Sequence, residues 1–414
     1  MHETTQKTVT GYRDAMGVLA DRSMRQALYE QGGVVMDDVL LSLHGEEHRK
    51  RRVLEFKVFR KDFFQYYETR IFPSALKEVL GPFEARGQMD LVDFGYRVTM
   101  NLTADFAGVD RPLKTAHETE QLLKLVKIFS QAATVVHSKL DKDDVRGEAL
   151  SALETLREVF VQPSIARRRA LLEQLKQGLL TEADLPRDVL MLLLQNEDKL
   201  ALPDEVVLRE MAFYLQAGSH STANSMIHAL HEIFMYCDAH PGALARLRSD
   251  PIFLQRCVHE SLRLHPASPV AWRRPESGAG GCPVHHDAAG MTQNRSDLVI
   301  VELSVANRDK AIFGEDADSF NPDRTLPTDV PPWGLTFGYG LHMCLGRDLD
   351  GGIAPTAATD PATHQYGIVT HLIRTLLALN VRRDPDDPAT PDLQSERPNW
   401  GRYPVLIERV GGQA

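Results

Sequence analysis

The stretch FGYGLHMCLG, residues 337–346, decides how this chain is read, because it sets one of only four cysteines among three glycines. Glycine is costly to order, so a run this rich in it means that the backbone must pass close to something. A cysteine that binds a metal does so as a thiolate, which needs donors or positive potential around its sulfur. Glycines clear away the side chains that would keep backbone N–H groups from that sulfur. The residues that follow, LGRDL, can open a helix whose positive end faces the same atom. The plainer alternative is a buried structural cysteine beside a glycine-rich turn.

Working outward, 414 residues admit two or three domains by length alone, but no repeat and no long linker separates them. The expectation is a single domain over residues 1–414. Hydrophobic residues at 43% and charged residues at 25% are ordinary globular values. A net charge of −10 argues against wholesale nucleic-acid binding, although HRKRR (residues 48–52) offers a local basic face. Cys237, Cys257, Cys282 and Cys344 show no CxxC spacing, and the polar start MHETTQKTVTGYRDAM has no secretory pattern. No apolar run reaches the length of a membrane span. A cytoplasmic protein is expected.

The first two-thirds of the chain reads as successive helices, beginning with TGYRDAMGVLADRSMRQALYE. The longest, over residues 204–238, is apolar on nearly all sides at its ends, which suits a helix through the middle of the molecule. Another, IFLQRCVHESLRLHP, stops at Pro266. Residues 276–297 then look like a loop, and LVIVELSVA reads as a strand or short buried segment. A low-hydrophobicity stretch at about 350–367 reads as an exposed insertion, followed by the helix IVTHLIRTLLALNV.

Three further groups of residues bear on the cysteine loop. In HESLRLHP, Glu260 and Arg263 lie three apart on one helical face and can pair. His48 and Arg52 lie four apart in the same way. AGSHST, residues 217–222, falls in the middle of the long apolar helix.

Together these resemble the cytochrome P450 family, of the soluble bacterial type, over nearly the whole chain. Phe337, Gly338, Gly340, His342, Cys344 and Gly346 match the family's haem-binding loop position for position. Glu260 and Arg263 resemble its Glu-x-x-Arg helix, and FNPDR resembles the segment that brings Arg324 to the same cluster. His48 and Arg52, with His342 and either Arg273 or Arg274, resemble the residues that meet the haem propionates. Residues 217–222 resemble the oxygen-activating segment Ala-Gly-x-acid-Thr, with Ala217 and Gly218 in place. His220 stands in the acid slot and Ser221 in the threonine slot, with Thr222 next. A histidine in that slot resembles the sterol 14α-demethylase branch.

The resemblance implies a mainly α, triangular single domain with a minor β region, binding haem b with Cys344 as the iron's ligand. It implies a monooxygenase that inserts one oxygen atom from dioxygen into a C–H bond of a lipophilic small molecule, terpenoid or steroid-like. Electrons would come from a separate ferredoxin or flavodoxin and its NAD(P)H reductase. Gly218 would let the helix open beside the haem, and His220, which titrates near neutral pH, could relay protons. Arg49, Lys50 and Arg51 would form a solvated face for the redox partner. The alternatives are a haem-thiolate peroxygenase or non-hydroxylating oxidase, motivated by His220 and Ser221, and a haem- or ligand-binding protein without turnover.

Two features depart from the family pattern. The N-terminal β region is shortened, with the histidine already at position 48, and the helix after the cysteine is interrupted at DLDGGIAPTAATDP. Substrate contacts are expected in residues 31–42 and before Ser164. CPVHHD offers Cys282, His285, His286 and Asp287, but lacks a second cluster at zinc spacing and reads as an exposed loop.

Overall fold

Helix Asp204–Ala239 runs unbroken for 36 residues, and its buried side chains, Val206 to Ile233, point to several sides of its axis. Such a helix needs partners all round. Leu91–Ala107 lies along it, close enough that a Cβ on Gly95 would come within 2.9 Å of the Met226 methyl group. Pro251–Leu264 and Ile368–Ala378 pack on its C-terminal half. The computed structural model describes residues 6–276, 284–286, 292–294 and 298–408.

Strands are few. A four-stranded sheet has the order Gln6–Val9, Leu298–Glu302, Val270–Pro275, Met24–Gln26. The first pair is parallel, with Gln6 opposite Leu298, and the other two pairs are antiparallel. Residues 10–30 therefore do not form the single helix that their spacing suggests. The helix is Tyr12–Ala20, Asp21 turns to extended backbone, and Met24–Gln26 pairs with Arg273–Pro275. Long-range ladder bonds override local periodicity there.

Other boundaries also shift. LVIVELSVA is a strand that passes into one helical turn, Leu303–Ala306. The stretch 351–367 is an exposed insertion only at its tip. Its base, Gly351, Gly352, Gln365, Tyr366 and Gly367, is buried. The Gln255 amide donates to the Ile353 and Tyr366 carbonyls, both at 3.1 Å, and His259 Nε2 donates to the Gly351 carbonyl at 2.7 Å. Cys282 and Asp287 lie outside the described residues, and His285 and His286 are described only as backbone, in a strand paired with Thr292–Asn294.

Candidate active site

Arg263 is fully buried, and all its donors are used. Its Nε and Nη2 donate to the two Glu260 oxygens at 2.8 and 2.7 Å, and Nη1 donates to the Asn307 and Ala317 carbonyls at 2.7 Å. Arg324 donates to Glu260 Oε1 from Nε and Nη2, both at 3.1 Å. The Glu260 carboxylate thus holds two guanidinium groups, and their remaining N–H groups go to backbone carbonyls and, from Arg324 Nη1, to the Asp316 carboxylate at 2.6 Å.

The cysteine loop lies nearby. Gly338 and Gly340 both have φ of +69°, and a Cβ on Gly340 would sit 2.6 Å from the Leu19 carbonyl oxygen. Cys344 N–H donates to the Phe337 carbonyl at 2.8 Å, closing the loop. The Cys344 side chain has accessible surface yet lies deep in the fold, because it faces an internal cavity of about 360 Å³. Burial pushes its thiol up to about 11, and the Asp350 carboxylate adds to this. The Gly346 N–H, Arg52 and Arg347 act in the opposite direction. The helix after the loop is a single turn, Arg347–Asp350.

Facing the loop across the cavity is the central helix, with Ala217, Gly218, Ser221 and Thr222 on the wall. The helix does not open at Gly218. The space a side chain would need there is filled by Thr103, whose Oγ1 would lie 2.8 Å from an added Cβ. The Ser221 hydroxyl donates to the Ala217 carbonyl at 2.6 Å, and Thr222 donates to Asp350 at 2.6 Å.

His220 is not on the wall. One residue is about 100° of helix rotation, and this turns its ring toward Tyr96 (Nδ1 to Oη, 2.5 Å) and Arg397 (Nε2 to Nη1, 3.3 Å). Arginine only donates, so Nε2 accepts and the ring proton sits on Nδ1, toward Tyr96. Burial, helped by Arg397, holds this imidazole neutral, with its pKa down to about 3. The expectation of a proton relay titrating near neutrality at His220 is therefore corrected.

At the edge of the cavity the structure gathers His48, Arg52, His342 and Arg273. The His48 and His342 rings are 4.5 Å apart, and all four of their nitrogens lack a hydrogen-bond partner among the described residues. Burial first, then Arg52 and His44, lowers His48 to about 4. Arg52 donates to the Met343 carbonyl at 2.5 Å, and Arg273, 3% exposed, donates to Gln26 at 2.5 Å. Neither pairs with a carboxylate among the described residues, and desolvation lowers Arg273 to about 10. Strand alternation decides between the neighbouring arginines: Arg274 points the other way, to Glu30 at 3.1 Å.

Arg51 is also corrected. It is 4% exposed, donates to Glu55 at 3.0 Å and pairs with Glu210, whereas Arg49 stays in solvent against Glu46. The rest of the wall is largely apolar, including Leu28, Tyr29, Leu40, Phe59, Phe106 and Phe213. Of the two expected substrate regions, 31–42 contributes Leu40 and Leu41, while the region before Ser164 does not reach the cavity. Phe59, Phe106 and Asp350 were not singled out in the sequence, where they sit among many similar residues.

Comparison with known proteins gives this arrangement its family. The cytochrome P450 family model matches residues 19–349. A putative cytochrome P450, YjiB, of Bacillus subtilis is 24% identical over 82% of this chain and 76% of its own length. The biotin biosynthesis cytochrome P450 of the same organism is 23% identical over 82% of this chain and 78% of its own. The crystal structure of P450BioI in complex with an acyl carrier protein carrying hexadec-9Z-enoic acid superposes with a TM-score of 0.70. It covers 97% of this chain and 92% of that one at 20% identity. A cysteine loop and a long helix facing each other across a cavity, on a chain matched over most of its length, make this protein a member of the cytochrome P450 family.

Proposed function

We propose that the chain is a haem-thiolate monooxygenase, with Cys344 as the iron's ligand, acting on a lipophilic small molecule. Members of the family bind haem and act as monooxygenases. The observation that carries the assignment of residues is the unsatisfied basic edge of the cavity. Buried charge without a partner is costly, and among the described residues two guanidinium groups here lack carboxylates and two imidazoles lack hydrogen-bond partners, beside a cysteine that faces the same space. A flat group with two carboxylates and a metal fits that set, so haem b suits these residues.

In this reading Arg52, Arg273, His48 and His342 hold the propionates. Cys344 is kept as a thiolate with the help of the Gly346 N–H and Arg52, although burial and Asp350 oppose that state in the protein alone. Haem would supply the oxidising chemistry, and the protein supplies binding, orientation and control of water. Leu28, Leu40, Phe59, Phe106 and Phe213 exclude water and favour an apolar substrate, terpenoid or steroid-like. Ser221 keeps its hydroxyl on the cavity wall, held by the Ala217 carbonyl. Electrons come from a separate ferredoxin or flavodoxin with its NAD(P)H reductase, in the cytoplasm. Arg49 and Lys50 remain in solvent for such a partner.

The direction of His220 favours a second reading, a peroxide-driven or non-hydroxylating oxidase, because no acid of the central helix reaches the cavity at that position. The test is the ferrous–CO difference spectrum of the wild type and Cys344→Ala, followed by turnover with a ferredoxin system or with peroxide. A red-shifted thiolate band lost in the variant is expected. Its absence from haem-loaded wild type, or its persistence in the variant, overturns the assignment. Product with peroxide alone selects the second reading, and haem binding without any turnover points to a ligand-binding protein.

A further inference from the structure

We infer that Asp350 is a positioning residue for the redox chemistry of this site, its carboxylate lowering the iron's reduction potential through the Cys344 sulfur. The inference rests on Cys344 being the iron's ligand. It starts from the break after the cysteine. The family match ends at residue 349, and the helical turn ends one residue later. The backbone crosses itself there: a Cβ on Gly367 would lie 2.5 Å from the Asp350 carbonyl oxygen and 2.3 Å from Gly352 N. His259 anchors the segment that leaves the turn through the Gly351 carbonyl, and Gln255 anchors the segment that returns through the Tyr366 carbonyl. Asp350 is thus fixed in place by the interruption itself.

Its carboxylate lies deep in the fold and on the cavity wall, with Cys344, Gly346 and Thr222. The Thr222 hydroxyl donates to it at 2.6 Å, from the helix on the opposite wall. No arginine, lysine or histidine pairs with it among the described residues, and the nearby Arg347 is turned to Asp348 at 2.6 Å. A buried carboxylate lacking a cation acts at range, because little solvent screens it. Asp350 is also tied to the residue that lies against the sulfur: its N–H donates to the Gly346 carbonyl at 2.9 Å, and a Cβ on Gly346 would stand 3.9 Å from Cys344 Sγ. A negative charge beside the sulfur favours the ferric over the ferrous state, so it lowers the midpoint potential.

The experiment is a spectroelectrochemical titration of the haem-loaded full chain at pH 8, as wild type, Asp350→Asn, Asp350→Ala and Asp350→Glu. Removing the charge is expected to shift the reduction equilibrium about tenfold toward the ferrous state, or about 59 mV for one electron. Asn and Ala should both show this, while Glu keeps the wild-type potential and all four keep the red-shifted CO band. An unchanged potential in Asn or Ala, whatever happens to melting temperature or haem content, overturns the inference. If Asn and Ala cannot be loaded, a potential in Glu tenfold or more from wild type overturns it, and an unchanged one supports it. A wild type without the thiolate band defeats the assignment of Cys344 instead, so the two failures are distinct.

Discussion

Two groups of arginines stand on opposite terms in this molecule. Around Glu260, Arg263 and Arg324 have carboxylate oxygens and backbone carbonyls for their donors. At the cavity edge, among the described residues, Arg52 and Arg273 have one or two neutral oxygens each, and His48 and His342 have none. The first group is complete without any ligand and serves the fold. The second is incomplete as protein alone, and this is how a binding site differs from a structural cluster of similar composition. Arg263 and Arg273 are equally buried; saturation separates them.

The largest effect that would break the comparison is at Arg263. Arg263→Ala strips the buried Glu260 of both donors to it from Arg263, leaving Arg324 and the Asn321 N–H, and should cost about 3–5 kcal/mol of stability in denaturant unfolding. A loss under about 1 kcal/mol would mean that the cluster is not structural.

Acid should reveal the next largest effect. His220, His228 and His259 are held neutral by burial, at about 3, 3 and 4 against an ordinary 6.5. As pH falls below 6.5 the unfolded chain takes up their protons first, so stability present above 6.5 is lost progressively toward pH 4. Each contributes on the order of 3 kcal/mol at full effect. Melting temperature measured from pH 7 to 4 should fall, and His259→Gln should flatten the slope. A slope unchanged in that variant would show that His259 is not the group being protonated.

Arg273→Gln tests the unsatisfied group. Because Arg273 has no carboxylate partner to abandon among the described residues, the haem-free chain should change by less than about 1 kcal/mol. Haem should dissociate about tenfold faster from the loaded protein. A large loss of stability with unchanged haem retention would place Arg273 with Arg263. The smallest effect is expected one residue away: Arg274→Gln, which loses a half-exposed pair with Glu30, should alter stability by about 0.5 kcal/mol or less and leave haem retention unchanged.

That neighbouring pair also shows what could be read in advance. Features set by local spacing were legible: the glycine loop around Cys344, Glu260 with Arg263 on one helical face, and the long central helix. Features set by a distant partner or by phase were not. Which of Arg273 and Arg274 turns inward depends on the pairing of their strand with Met24–Gln26, itself misread as helix. Arg51 looked like a solvated charge because Glu210, its counter-charge, lies 159 residues away. His220 was placed at the reacting centre by its slot in the sequence, but one helical step aims it at Tyr96. Asp350 carried no signal beyond being the last residue before a pair of glycines.

The insertion after the cysteine has a use in engineering. Its base is buried and crossed over itself at Gly352 and Gly367, while Thr356 to Thr363 at its tip are largely in solvent. Chain added at such a tip is tolerated best, whereas a side chain added at the base has nowhere to go. The tip is therefore the natural graft point for a reporter, an affinity handle or a covalently fused electron donor.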